Sequence, residues 1–179
     1  MIDKISAAIP AHEIRRRILE DKLVEDYTDL ETQLQPAGFD LCLSWVYDYK
    51  SAGYLDFDNK LRRIPSGERR APDGLYSQDV YRWHLPPGAY RVLLKETLNM
   101  PLDLNALSIH RSSLMRMGCT TASGDWDPGY SGKGETCLIV HNPHGVDISE
   151  GARICQVTFI RTDVKQGYNG KFQNEGKRI

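Results

Sequence analysis

The 179-residue sequence lacks paired cysteines, long apolar runs and an excess of charge of either sign. Its four cysteines, at positions 42, 119, 137 and 155, include no Cys-x-x-Cys pair, which argues against a zinc site or a dense disulfide framework. We expect buried free thiols and a cytoplasmic protein. No window is apolar over the roughly 18 residues that a membrane span requires, and charges interrupt residues 1–20, so no signal peptide is expected. A formal net charge of −1 gives no general attraction to nucleic acid or membranes.

One segment is predicted to be helical and most of the remaining elements to be strands. Ile14 and Ile18 lie one helical turn apart shortly after Pro10, which predicts a helix over residues 11–20. Many short strands without alternating helices favour a mainly β sandwich or barrel with one or two peripheral helices. Short apolar and aromatic runs separated by turn residues predict these strands at 39–49, 90–100, 106–114, 136–142 and 153–163.

The length favours a single domain over residues 1–179. We expect the β core at 34–163 and a polar tail at 164–179, whose composition alone is that of a frayed terminus. Residues 50–80 are polar and rich in turn residues, which is typical of a long loop or of an extra hairpin over the sheet.

The segment GDWDPGYSGKGE (124–135) places an acid and an aromatic residue at the two ends of a tight turn. In Asp-Pro-Gly-Tyr, proline suits the second position of a β-turn and glycine suits the third, where a type II turn needs a positive φ. Asp127 and Tyr130 can then reach one pocket. Because such turns occur in many hairpins, the motif by itself is weak evidence for function.

A second segment, HRSSLMR (110–116), combines two arginines with two hydroxyl residues. Arginine forks and serine hydroxyls suit phosphate oxygens, but the same residues can simply cap a helix that follows a strand. In a third segment, EGARICQVTF (150–159), strand alternation would place Gln156 on the same face as Ile154. A buried amide there is either structural or faces a ligand.

The sequence resembles the dUTPase and dCTP deaminase superfamily in the order and spacing of its motifs. Two flanking segments, LQPAGFDLCL and YNGKFQ (168–173), resemble the N-terminal strand element and the C-terminal lid of the deaminase-like branch. The resemblance covers most of residues 34–175 and implies a distorted β-barrel or jelly roll. It also implies a homotrimer with three active sites at subunit interfaces. The core motifs are R-S-S-L-x-R (111–116), D-P-G-Y-S-G (127–132), N-P (142–143) and G-A-R-I-C-Q (151–156).

The resemblance implies a role for each matching residue. Asp127 takes the place of the carboxylate that positions and activates a water in dUTPases. Tyr130 takes the place of the aromatic residue that stacks on the deoxyribose and disfavours a 2′-OH. The remaining implied substrate contacts are the phosphate-binding Arg111, Ser112, Ser113, Arg116 and Gln156, and the lid residues Tyr168, Lys171 and Gln173.

The superfamily performs two reactions, and a dCTP deaminase needs a glutamate on the strand after the hairpin to move protons at the base. Counting forward from Asp127 puts this residue at Cys137, and counting back from Asn142 puts it at Ile139. Neither is acidic. Glu135 is displaced by at least two residues, although strand parity puts it on the same face as Cys137.

The tail does not match that of the classical dUTPases and is instead deaminase-like. Classical trimeric dUTPases end in a glycine-rich motif with an arginine, and this sequence has none. Its hairpin and its KFQNE tail together resemble the dUTPases of archaeal type, which combine a deaminase-like frame with diphosphatase chemistry. We therefore expect hydrolysis of dUTP to dUMP and pyrophosphate with Mg²⁺ held through the substrate phosphates. A dCTP deaminase and a bifunctional enzyme are the alternatives.

Two hypotheses from other classes are weaker. A non-catalytic nucleotide-binding regulator could use the same fold, but it would have no need of Asp127. A zinc protein could use Cys137, His141 and His144, which lie close together in CLIVHNPH. Beside a hairpin turn, this segment is more typical of a polar loop.

Overall fold

The computed structural model of the protein describes residues 7–77 and 80–176. Residues 1–6, 78–79 and 177–179 belong to the predicted domain, and the last three also to the predicted tail, but they lie outside the described residues. The described chain is mainly β, as predicted. Its helices are α1 (Ala11–Asp21), α2 (Leu30–Gln33) and α3 (Ser112–Arg116). Its strands are β1 (Val24–Glu25), β2 (Leu34–Gln35), β3 (Gly38–Tyr49), β4 (Gly67–Arg69), β5 (Gly74–Ser77), β6 (Val80–Leu85), β7 (Gly88–Asn99), β8 (Leu104–His110), β9 (Cys119–Ala122), β10 (Ser131–Val140), β11 (Val146–Ser149) and β12 (Arg153–Arg161).

The main sheet curls into a nearly closed barrel. Its central path runs β8–β12–β3–β7–β10–β9, and neighbouring strands on this path are antiparallel. The segment that follows β9 meets β8 at a short seam, where Ala106 and Trp126 exchange backbone hydrogen bonds of 3.0 Å. Beside this bridge, Ser108 Oγ donates to Ser123 Oγ at 3.1 Å. The barrel predicted from the many short strands is confirmed.

Alternation along the central strands decides which residues face the core. On β10, Leu138 and Val140 are buried, whereas Glu135 and Cys137 between the core positions are only partly buried. Such alternation is typical of a sheet with one face in the core and one face open. The open face of β7 and β10 is where the site described below is built.

Helix α1 covers one side of the barrel. Ile14 and Ile18, spaced one turn apart, are 0% and 4% exposed and belong to the core. The backbone of Lys22 adopts φ +55° and ends the helix, and its N–H bonds Arg17 O. The residues predicted as helical are therefore helical, because their apolar spacing matches one buried face.

Residues 50–80 contain both structures that the sequence suggested. Tyr54 and Arg63 exchange backbone hydrogen bonds of 2.9 Å and close a long loop. Beyond it, β4 pairs with β3, and β5 and β6 form a hairpin that joins β11 in a three-stranded sheet. Trp83 of β6 is fully buried and lies 5.1 Å from Trp45, edge to face, which fixes the small sheet on the barrel.

A bulge in β12 interrupts the alternation of faces that was predicted for the GARICQ segment. The register with β3 shifts between Arg153 and Cys155, so the strand holds one extra residue there. As a result Ile154 and Cys155 are both buried, while Gln156 is only partly buried. The prediction that Gln156 shares a face with Ile154 is wrong, because a bulge breaks the two-residue period.

The four cysteines are free. Cys42, Cys119 and Cys155 are buried, as predicted, and Cys137 is partly buried on the open face of β10. No helix in the described ranges is long and apolar enough to cross a membrane.

Candidate active site at the β9–β10 hairpin

The Asp-Pro-Gly-Tyr segment forms the predicted turn. Tyr130 N donates to Asp127 O at 3.1 Å, and Gly129 has a φ of +82°, as the third position of a type II turn requires. Met100 fastens the turn to the end of β7, since its N–H bonds Tyr130 O at 2.8 Å. The turn leaves Asp127 exposed and the Tyr130 ring 7% exposed.

A cavity of about 580 Å³ opens beside the turn. This volume lies within the usual range for small-molecule sites. Asp127 and Tyr130 both line it, so the turn brings together the two side chains that the sequence paired. Tyr49, Ile64, Pro65, Arg91, Trp126, Glu135, Cys137, Tyr168, Phe172 and Glu175 are also among the lining residues.

The floor of the cavity carries an ion pair. Arg91 Nε lies 3.6 Å from Glu135 Oε1, and both side chains are about three-quarters buried, at 24% and 27% exposed. Burial raises the pKa of Glu135, and the positive charge of Arg91 opposes this rise. Cys137 lines the same cavity, so the predicted common face of Glu135 and Cys137 is confirmed.

The C-terminal tail lies against the turn instead of fraying. Tyr168 N donates to Pro128 O at 2.7 Å, Gln173 Nε2 donates to Gly129 O at 2.9 Å, and Asn174 N donates to Ser131 O at 2.7 Å. These bonds place the Tyr168 ring 5.7 Å from the Tyr130 ring, edge to face. The tail therefore forms one wall of the cavity.

Glu175 enters the cavity from this tail, and its environment predicts a pH effect. Burial, followed by the negative charge of Glu135, raises the pKa of Glu175 to about 7, and Arg91 opposes the rise. A pKa raised in the docked state means that docking is most favourable when Glu175 is protonated. This contribution is complete below the ordinary pKa of about 4.5 and is lost as the pH rises through 7.

We expect the tail to open more readily at pH 8 than at pH 5, and Glu175→Gln to remove this dependence. The measurement is backbone amide exchange over residues 167–176, with the variant compared at each pH so that intrinsic exchange rates cancel. Allowing for solvent screening, the wild type is expected to exchange about tenfold faster than Glu175→Gln at pH 8. Equal rates for the two proteins at both pH values would contradict the assignment.

The predicted phosphate-binding residues form a second cluster. Arg111 precedes α3, so the neighbouring Ser112 and Ser113 begin that short helix and are exposed. Asp40 of β3, only 2% exposed, lies 3.0 Å from Arg111 Nε and 3.1 Å from Arg153 Nη1. Burial raises the pKa of Asp40, and the two guanidinium groups oppose that rise.

The two clusters do not share the cavity in one chain. In residues 7–77 and 80–176, the five predicted phosphate contacts, Arg111, Ser112, Ser113, Arg116 and Gln156, are not among the residues that line it. Arg116 is exposed on α3, and Gln156 lies on β12 opposite Asp40. Tyr168 lines the cavity and Gln173 bonds the turn, whereas Lys171 is exposed.

Sequence reasoning missed Arg91 and Glu175 as cavity residues. A single charge in the apolar alternation of YRVLL was the available signal for Arg91. No comparable signal marked Glu175, because its position depends on how the tail docks. Within the described ranges, no group of histidines, cysteines or carboxylates that could hold a metal ion is found, including around Cys137, His141 and His144.

Comparison with known proteins identifies the family. The model of the dCTP deaminase-like family matches residues 8–162, which include the barrel, the hairpin and the phosphate cluster. The chain belongs to the dCTP deaminase-like family. The tail that closes the cavity lies just beyond the matched residues.

Relatives of this dCTP deaminase-like chain are named as enzymes of dUTP. It is 42% identical over 167 residues to a probable deoxyuridine 5′-triphosphate nucleotidohydrolase of Methanococcoides burtonii, covering 92% of this chain and 95% of the relative. It is 39% identical over 171 residues to a protein of the same name in Archaeoglobus fulgidus, covering 94% and 97%.

A solved structure shares the fold of this dCTP deaminase-like chain. The crystal structure of 2′-deoxycytidine 5′-triphosphate deaminase from Agrobacterium tumefaciens matches with a TM-score of 0.64 at 22% identity. The match covers 87% of this chain and 48% of that chain, so the protein spans about half of its neighbour. At this identity the likeness supports the barrel fold alone.

Proposed function

We propose that the protein is a dUTP diphosphatase, which hydrolyses dUTP to dUMP and pyrophosphate and so lowers dUTP while supplying dUMP. The observation that carries the proposal is the turn, which holds an exposed carboxylate, Asp127, and a buried aromatic ring, Tyr130, on one cavity. The names of the archaeal relatives support the same substrate.

The reaction needs a water directed at the α phosphorus. Asp127 is exposed at the cavity wall, and no side-chain hydrogen bond occupies its carboxylate among the described residues. It can therefore accept a proton from a water and orient that water for in-line attack. The bond between the α phosphorus and the bridging oxygen breaks, and that oxygen leaves with pyrophosphate.

Tyr130 and the docked tail provide the expected position of the deoxyribose. The face of Tyr130 suits stacking on a deoxyribose, and the adjacent ring of Tyr168 closes the same wall. Gln173 holds the tail on the turn through Gly129 O and Ser131 N. A docked tail excludes bulk water, which strengthens the electrostatic contacts with the substrate.

We infer that Mg²⁺ accompanies the substrate. The donor set fits a metal held mainly by substrate phosphates, since the cavity offers the hard oxygens of Asp125 and Asp127 but no protein cluster of three ligands among the described residues. Bound there, Mg²⁺ would neutralise charge on the triphosphate.

We further infer a homotrimer, because the proposed site is incomplete in one chain. Asp127 and Tyr130 lie on the cavity, while Arg111, Ser112 and Gln156 lie elsewhere on the same subunit. A closed ring of three subunits can bring the phosphate cluster of one chain to the cavity of the next. Arginine and serine groups would then spread the charge of the triphosphate.

The test is to incubate the purified protein with Mg²⁺ and either dUTP or dCTP and to resolve the products. We expect dUMP and pyrophosphate from dUTP. Absence of dUTP turnover with intact folded protein would refute the proposed function.

One observation favours a second candidate, dCTP deamination. Glu135 lies in the same cavity as Asp127 and faces the same way as Cys137. A carboxylate at this depth could move protons while water replaces the amine at C4 of cytosine. Formation of dUTP from dCTP would establish a deaminase, and formation of dUMP from dCTP would establish a bifunctional enzyme.

A further inference from the structure

Packing fixes Arg91 on the floor of the cavity. Its guanidinium lies 4.9 Å from the centroid of the Tyr47 ring. On another side it fills the space above Gly67, where a Cβ atom would come within 2.8 Å of Nη2. Residue 91 pairs with Tyr47 of β3 and with Cys137 of β10. The guanidinium is therefore held by an aromatic ring and a glycine on neighbouring strands.

The fold leaves part of the hydrogen-bonding capacity of Arg91 unused. Its Nε is buried and has no hydrogen-bond partner in the described part of the chain. The distance of 3.6 Å from Nε to Glu135 Oε1 allows electrostatic attraction but is too long for a good hydrogen bond. Arg91 also lines the cavity, so a ligand that brings an acceptor to its guanidinium forms a charge-assisted hydrogen bond.

The two charges follow a definite order along the floor. Glu135 lies two residues nearer to the turn than Cys137, and Cys137 is the residue opposite Arg91. The charged groups themselves are close, since Arg91 Nε is 3.6 Å from Glu135 Oε1, so they can face neighbouring positions of one ring. A ligand that extends inward from Tyr130 therefore meets an acceptor-only carboxylate first and a donor-only guanidinium further in.

This order matches one pyrimidine better than the other. With the sugar at Tyr130, the ring atom that reaches furthest inward is C4, which is opposite the sugar-bearing N1, and N3 comes before it. Uracil carries an N–H donor at N3 and a carbonyl acceptor at C4. Cytosine carries an acceptor at N3 and an amine donor at C4, and so presents the reverse pattern.

We propose that Arg91 determines base specificity by donating to O4 of uracil while Glu135 accepts from N3–H. The inference rests on the proposed function, because it takes the deoxyribose to lie at Tyr130. Cytosine in the same pose would put its amine against a guanidinium and its N3 lone pair against a carboxylate. Mismatched charged hydrogen-bonding groups of this kind are strongly rejected.

The test compares Arg91→Met, which keeps bulk but removes every donor, with the wild type. For dUTP, kcat/KM is expected to fall about 10- to 100-fold, the range for a lost hydrogen bond to a charged group, mainly through KM. For dCTP the change is expected to be small, so the preference for dUTP falls by a similar factor. Arg91→Lys keeps a charged donor and is expected to retain part of the preference.

Arg63→Met is the matched control, because Arg63 is exposed on the 54–63 loop. Binding of dUMP and of dCMP, measured by calorimetry, gives the same comparison without turnover, so it stays informative if the proposed hydrolysis fails. If Arg91→Met does not fold, Glu135→Gln serves instead, since its amide can also donate to N3 of cytosine and should lower the preference. An unchanged preference in the folded variants would overturn the proposal.

Discussion

Replacing Asp127 with asparagine is expected to lower the turnover of dUTP by about 10²- to 10⁴-fold, as the loss of a general base does. Asparagine keeps the size of the side chain but cannot accept a proton from the attacking water. The backbone bond from Tyr130 N to Asp127 O does not involve the side chain, so the turn should persist. Nucleotide binding should therefore remain near that of the wild type.

Single-turnover kinetics with dUTP measure the loss of the chemical step. Calorimetry with the slow variant measures nucleotide binding separately. Asp163→Asn is the control, since Asp163 is exposed and has no described side-chain partner. Unchanged turnover in Asp127→Asn would refute the assigned role. Loss of binding together with turnover would instead assign Asp127 to substrate affinity.

The Asp127→Asn variant also tests whether two subunits of the proposed trimer contribute residues to one active site. In a mixture of Asp127→Asn and Arg111→Ala subunits, about a quarter of the sites formed by random assembly into rings of three would combine an intact Asp127 with an intact Arg111. Activity should rise on mixing well above that of either slow parent. No recovery after demonstrated subunit exchange would mean that each chain builds its site alone.

Replacing Asp40 with alanine is expected to lower the free energy of unfolding by about 2–4 kcal/mol, somewhat below the range for breaking a fully buried ion pair. Asp40 is 2% exposed, and Arg111 and Arg153 would both lose their carboxylate partner. Each arginine side chain is 29% exposed, so water can solvate part of the freed charge. Arg111 would also lose the contact that orients it beside α3.

Urea unfolding at fixed protein concentration measures this change, because oligomerisation makes apparent stability depend on concentration. Asp40→Asn keeps an acceptor oxygen and should cost less. The double variant Asp40→Ala/Arg153→Ala should recover part of the loss, because one uncompensated charge is removed. A loss under about 0.5 kcal/mol, as at ordinary surface positions, would mean that Asp40 does not hold the two arginines in the folded state.

Local spacing was enough to predict several parts of the molecule. Ile14 and Ile18 identified α1, and Gly129 with its proline neighbour identified a type II turn. Both features depend on a few adjacent residues, whose preferred dihedrals and apolar period appear directly in the sequence. The same reasoning placed Asp127 and Tyr130 on one cavity.

Features that depend on strand pairing could not be predicted from local residue spacing. The bulge at Ile154 follows from the fit of β12 to β3, and it reversed the expected face of the next residues. The role of Arg91 depends on which residue of β10 lies opposite, and that register is set by the whole sheet. The position of Glu175 depends on tail docking, which links residues far apart in the chain.

The docked tail has a further consequence for how the protein can change. Gly129 and Gly167 touch through their backbones, since a Cβ on Gly129 would lie 2.7 Å from Gly167 Cα. Main-chain atoms also make the bonds from Tyr168 N to Pro128 O and from Lys133 N to Glu175 O. These main-chain contacts help to fix where the tail closes, alongside the side-chain bonds of Gln173. A substitution at a tail residue that lines the cavity without bonding the turn, such as Phe172, can alter what the cavity encloses while these contacts keep the tail in place. Selectivity can then change without a change in the fold.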